Sequence, residues 1–410
     1  MKSWISHKKP QRGDMKLSDI ISRAKKLPAL RVDNLLLYVA HKAISRALQK
    51  RGVVDISGRL VQPRIHKPRF VKPSKSFRTL VSVGGFGWSG SSAVVDLLSE
   101  YSNVTASYAG LLETPAQQLK PVCFEFELGR SAGGLFGLEN AFRTHSFFER
   151  DMAIRIFAEL AEELYITYST FFGEEFVELT ASFLERLIQS RAENTGGGFD
   201  YCHHLSALGT KAIHRFLGRP SDCSREYIFF LNDLSIKEYR ALAHEYLSSV
   251  LAYIKSDDML VLDQATSDEC FDVEKYQEYF GPIKSIFVWR DPRDVYVAAQ
   301  TCTTPESNLP KDPDGFCSWY SDNVRRALSV DHEMWLTVRF EDLLYSYNTE
   351  VRRIEEFLGL KPQTHVNKMT ALVPSVSIAQ SVGLWRTYSE QKIVANIQSS
   401  LSEYCFEVSA

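Results

Sequence analysis

Residues 79–101 constrain what this chain can fold into more than any other stretch. A short apolar run (Leu80, Val81, Ser82, Val83) leads into Gly84, Gly85, Phe86, Gly87, Trp88, Ser89, Gly90, Ser91 and Ser92, and then into an apolar segment over 93–98. Glycines that punctuate two apolar segments predict a buried strand, a glycine-rich turn and the first turns of a helix. Backbone N–H groups at a helix start have no intrahelical acceptor and point outward, so such a turn can wrap a phosphate or sulfate. Ser91 and Ser92 could add hydroxyl hydrogen bonds. A strand-to-helix turn that binds nothing would carry the same glycines. A kinase-type phosphate loop needs Gly-Lys-Ser/Thr, whereas Gly90 is followed here by Ser91.

At 410 residues, the chain is long enough for one large α/β domain with appendages or for two domains. Its net charge of -2 predicts no particular partner, but the distribution is uneven. Residues 1–79 hold 20 Lys and Arg against 4 Asp and Glu, and the remainder holds 28 against 46. A basic arm precedes an acidic body. The arm has no aromatic or groove-reading motif, which argues against a nucleic-acid partner. The seven cysteines are scattered without a CxxC pair, favouring free, mostly buried thiols in a reducing compartment over disulfides or a zinc site. No apolar run approaches a membrane span, and Lys8, Lys9, Arg12 and Asp14 interrupt any signal-peptide core. Cytoplasm is the expected location, peripheral to the inner face of the membrane if the arm touches lipid.

Residues 1–78 divide from the body as a basic extension. Within it, Leu35, Leu36, Val39, Ala40, Ala43, Ile44 and Leu48 share one face of a predicted helix, suited to packing on the body or to a membrane surface. Prolines at 63, 68 and 73 mark an extended linker. Over 79–410, helical periodicity is expected at 150–165, 174–188 and 236–254, the last capped by Ser235. A short strand is expected within 122–128. Apolar runs at 227–231, 259–262, 285–289 and 334–338 predict buried strands. Strands alternating with helices imply a three-layer α/β fold with a central parallel sheet, a phosphate-loop nucleotide-binding core and helical insertions. Ligands of such sheets sit at the carboxyl ends of strands, which would set the glycine loop, residues 263–266 and residues 290–294 on one rim.

The last of these reads Arg290-Asp-Pro-Arg293-Asp294, a strand end followed by a helix start with proline in its first turn. Arg290 offers a planar fork of donors and could clamp a second phosphate. Alternatively, the four charges form an ion-pair network that only stabilises the turn.

Together these stretches resemble the sulfotransferases that use 3'-phosphoadenosine 5'-phosphosulfate. The family's 5'-phosphosulfate loop follows its first strand with a Ser-Gly-Thr-Thr-like run, similar to Ser89-Gly90-Ser91-Ser92; Gly87 and Trp88 lie just before it. Its 3'-phosphate element is similar to the run from Arg290 to Asp294. Gly383-Leu384-Trp385-Arg386 resembles the Gly-x-Trp-basic segment that closes over the nucleotide, where Trp385 could stack on adenine or simply pack. Around Glu125 and Glu127 the chain resembles bacterial members.

The resemblance implies in-line sulfuryl transfer to a hydroxyl of a saccharide or glycolipid, without a metal. The base would be Glu125, with Glu127 and His145 next, unless Glu125 is an ordinary solvated carboxylate. Two positions depart from the family. Trp88 stands where a cation neutralises the leaving oxygen, leaving Arg130, Arg143 and Lys211 as substitutes. Ala298 stands where a serine assists the 3'-phosphate arginine. Two other readings remain: a P-loop kinase, and a protein of this fold that binds nucleotide or glycan without transfer.

Overall fold

The computed structural model describes residues 79–106, 108–109, 122–123, 134–144, 146–172, 175–194, 227–253, 258–266, 271–301 and 309–407. The basic extension, its boundary at 78/79, and Glu125, Glu127, Arg130, His145 and Lys211 lie outside the described residues. Five strands form one sheet: β1 (Thr79–Gly85), β2 (Val104–Ala106), β3 (Met259–Asp263), β4 (Ile283–Trp289) and β5 (Trp335–Arg339). Their order is β2-β3-β1-β4-β5 and every pairing is parallel, with Leu80 opposite Leu260 on one side and Ile283 on the other.

The strands form where β-branched and large apolar residues run without interruption, because both sheet faces are covered. Val81, Val83, Val261, Ile286, Val288 and Val338 share one core cluster with apolar residues of the first helix. Phe287, between two of them, packs instead on the rings of Phe86, Phe271 and Trp335 at 5.0, 5.3 and 5.9 Å. This is the period-2 alternation of a strand serving two faces. Three interior polar residues of the sheet satisfy one another, since Thr266 N–H donates to Ser82 Oγ (3.0 Å) and the Thr266 and Ser285 hydroxyls lie 3.0 Å apart.

Twelve helices are described: α1 (Ser91–Ser99), α2 (Leu135–Arg143), α3 (Phe147–Phe172), α4 (Glu175–Leu187), α5 (Ile236–Leu251), α6 (Val273–Phe280), α7 (Pro292–Thr301), α8 (Pro313–Leu328), α9 (Phe340–Tyr345), α10 (Tyr347–Leu358), α11 (Pro374–Ser381) and α12 (Gln391–Ser400). Local chemistry sets several starts. Ser235 caps α5 in a reciprocal capping box with Glu238, and Asp312 caps α8 just before Pro313. The strand expected at 227–231 forms, but it pairs antiparallel with Ser190–Asn194 in a separate two-stranded ladder instead of joining the parallel sheet. Of the strand expected within 122–128, Val122–Cys123 is described, paired antiparallel with Tyr108–Ala109.

Candidate functional site

The turn after β1 is tightly enclosed. A side-chain carbon on Gly85 would come within 2.3 Å of both Ser89 Oγ and the Val288 carbonyl, so only glycine lets β1 end there. Gly90, just before α1, has φ 87, and a side-chain carbon on it would stand 2.4 Å from the Phe340 ring. Trp88 adopts φ 70, a left-handed conformation unfavourable for a bulky residue, and is 36% exposed. Strain of this kind persists only where surrounding contacts enforce it.

Those contacts are visible. Arg290, at the end of β4, donates from Nη1 to the Trp88 carbonyl at 3.0 Å and from Nη2 to the Ser381 carbonyl at the end of α11. Its guanidinium lies 5.1 Å from the Phe340 ring centroid, beneath the loop. Asp294, one helical turn on, accepts from the N–H groups of Gly383 (2.7 Å) and Trp385 (3.2 Å). The glycine loop, the Arg290–Asp294 run and the Gly383–Arg386 segment therefore meet on the carboxyl rim of the sheet.

Within the Arg-Asp run the two readings divide by residue. Asp291 and Arg293 form a buried bidentate pair (Nε–Oδ1 3.0 Å, Nη2–Oδ2 2.6 Å) that also fixes the Phe406 backbone. That half is structural. Arg290 reaches Asp294 only at 4.0 Å and spends its hydrogen bonds on loop and strap carbonyls. Burial pushes its pKa below the ordinary arginine value, against the opposing pull of Asp294, Glu341 and Asp291. Burial also raises the Asp294 carboxyl, with Arg290 acting the other way. Desolvation outweighs the pairing on both sides, as expected for a loose buried contact.

Buried polar atoms at the rim with no hydrogen-bond partner among the described residues include Ser89 Oγ, on a fully buried residue, Arg290 Nε and Glu341 Oε2. Native interiors rarely leave such groups unmatched. Ser91 Oγ accepts from Gln264 Nε2 at 2.9 Å, which leaves its O–H hydrogen able to donate, and Ser92 is exposed at the helix start. The rim thus presents hydroxyls, first-turn N–H groups and a guanidinium, a donor set suited to an anion carrying more than one phosphate or sulfate.

Trp385 is half-buried with the Arg293 guanidinium 4.2 Å from its ring centroid; exposed Arg386 lies 5.4 Å from the same ring. Arg143, half-exposed, is bonded to Glu139 at 2.5 Å in the helical layer. Sequence reasoning missed Gln264, Ser381 and Phe340. Gln264 follows a strand end already placed on the rim, but its φ of 59 and its reach to Ser91 carry no sequence signal.

No protein-family model and no curated protein matches the chain. Among solved structures, the sulfotransferase domain of the olefin synthase of Synechococcus PCC 7002 is 12% identical, with a TM-score of 0.31, over 83% of this chain and 100% of that one. Sulfotransferase STF9 from Mycobacterium avium is 12% identical, with a TM-score of 0.34, over 94% and 88%. The sulfotransferase domain from the curacin biosynthetic pathway is 13% identical, with a TM-score of 0.32, over 82% and 100%. Superpositions this loose assign no function.

Proposed function

We propose that the chain is a sulfotransferase that binds 3'-phosphoadenosine 5'-phosphosulfate at the rim and moves its sulfuryl group to an acceptor hydroxyl. The observation that carries this reading is the Arg290 Nη1 contact with the Trp88 carbonyl, which brings the second anion-binding motif against the first. Ser89, Ser91, Ser92 and the α1 N-terminus would take the 5' end of the donor. Arg290 would take the 3'-phosphate by exchanging a backbone carbonyl for a charged acceptor, a stronger partner for a guanidinium. Trp385 and Arg386 would flank the adenosine.

In the transfer, the acceptor oxygen forms a bond to sulfur as the bond to the bridging phosphate oxygen breaks. The acceptor proton passes to a base and the nucleoside bisphosphate leaves. Glu125 is the proposed base, followed by Glu127 and His145. A saccharide or glycolipid is the proposed acceptor, and the cytoplasm the proposed location. No helix among the described residues is long and apolar enough to cross a membrane. The absence of lysine after Gly90 disfavours the kinase reading.

Incubation with sulfur-labelled donor and a panel of saccharide acceptors tests the proposal. Label transfer supports it. Donor binding without transfer to any acceptor or to water would favour the binding-protein reading, and ATP turnover with magnesium the kinase.

A further inference from the structure

At the opposite end of α1 from the glycine loop, the carboxylate of Glu100 is buried and holds a loop. It accepts from the N–H groups of Met369 (3.1 Å), Ala371 (2.9 Å) and Leu372 (2.9 Å) and lies 2.7 Å from His365 Nε2. Tyr101 stacks on His365 with ring centroids 4.3 Å apart and donates to Glu355 at 2.9 Å. Backbone N–H groups that converge on one inner carboxylate turn the intervening side chains outward. Val366 is 57% exposed, Met369 48% and Val376, in the first turn of α11, 48%. Three of the six large apolar side chains most exposed among the described residues thus fall within eleven residues of chain. Isolated exposed apolar residues are ordinary, but a concentration in one short segment is not.

The charge pattern indicates what the loop meets. Residues 361–389 contain no Asp or Glu, although the body they belong to is acidic, and they carry Lys361 and Lys368, both exposed, beside the apolar tips. Cations interleaved with protruding apolar side chains suit an anionic bilayer surface, where lysines pair with headgroups and the apolar tips enter the acyl boundary. We propose that this loop and the first turn of α11 dock the protein on anionic membrane. The inference does not rest on the sulfotransferase reading.

The test uses the full chain with vesicles of phosphatidylcholine containing 30% phosphatidylserine. It is run at 0.1 M salt and again at 0.5 M, where a screening length of roughly 4 Å suppresses attraction by the basic arm. The combined variant Val366→Ser, Met369→Ser and Val376→Ser should lose tenfold or more of its vesicle partitioning at both salts, with its melting temperature unchanged. Lys361→Gln with Lys368→Gln should lose severalfold at low salt only. Unchanged partitioning of the triple variant, or no partitioning of the wild type at 0.5 M, overturns the proposal and leaves the loop to a protein partner.

Discussion

Two buried polar clusters in this molecule are built in opposite ways. In the helical layer, Glu139 is nearly fully buried and completely engaged by Arg143, by Arg240 (3.1 and 2.6 Å) and by the Tyr279 hydroxyl. Although burial raises its pKa, those partners together hold it down at about 2. At the rim, Ser89 Oγ and Arg290 Nε lack partners, Trp88 is strained, and Glu341 is pushed up to about 7 by burial despite accepting from Asp291 N–H. A saturated network holds helices together. An unsaturated one, kept in place by the surrounding fold, is equipped to bind something.

The contrast can be broken by substitution. Glu139→Gln should remove the buried charge that Arg240 and the half-exposed Arg143 share and cost roughly 3 kcal/mol of unfolding free energy, read by denaturant titration, with nucleotide affinity intact. Arg290→Ala should lower affinity for 3'-phosphoadenosine 5'-phosphate by about 100-fold in calorimetry, a loss of about 2.7 kcal/mol. Equal losses of stability and affinity in both variants would erase the distinction.

The two glutamates also differ in pH dependence. Glu341 has a folded pKa above its unfolded value of 4.5, so its contribution is full below pH 4.5 and lost as pH rises through about 7. Glu139 has a depressed folded pKa, so its contribution is present above pH 4.5 and lost as pH falls through about 2. Glu341→Gln should therefore gain roughly 2–3 kcal/mol relative to wild type at pH 8 and nothing at pH 4, measured by unfolding across that range. Smallest of all, Ser89→Ala should leave stability within about 0.5 kcal/mol while weakening the bisphosphate about tenfold.

What could be read from the sequence follows from how local each signal is. The glycine turn, the five apolar runs and the Ser235 cap depend on neighbouring residues, and each is visible in the chain. The edge strand Val104–Ala106 was not, because three residues of ordinary polarity become a strand only by pairing with β3. Nor could the sequence show that Asp291 and Asp294 differ in task. One binds Arg293 and the other caps the Gly383–Trp385 turn, 89 and 91 residues away in sequence. The distribution of the 290–294 charges between structure and site is decided by long-range contacts.

A crystal of the protein grown with 3'-phosphoadenosine 5'-phosphate gives the most direct reading of whether a single nucleotide bridges the two motifs. One phosphate should lie within hydrogen-bond distance of the Ser91 and Ser92 N–H groups, and the other on Arg290 with its hold on the Ser381 carbonyl released. Density confined to one motif, or lying away from the rim altogether, would contradict the account.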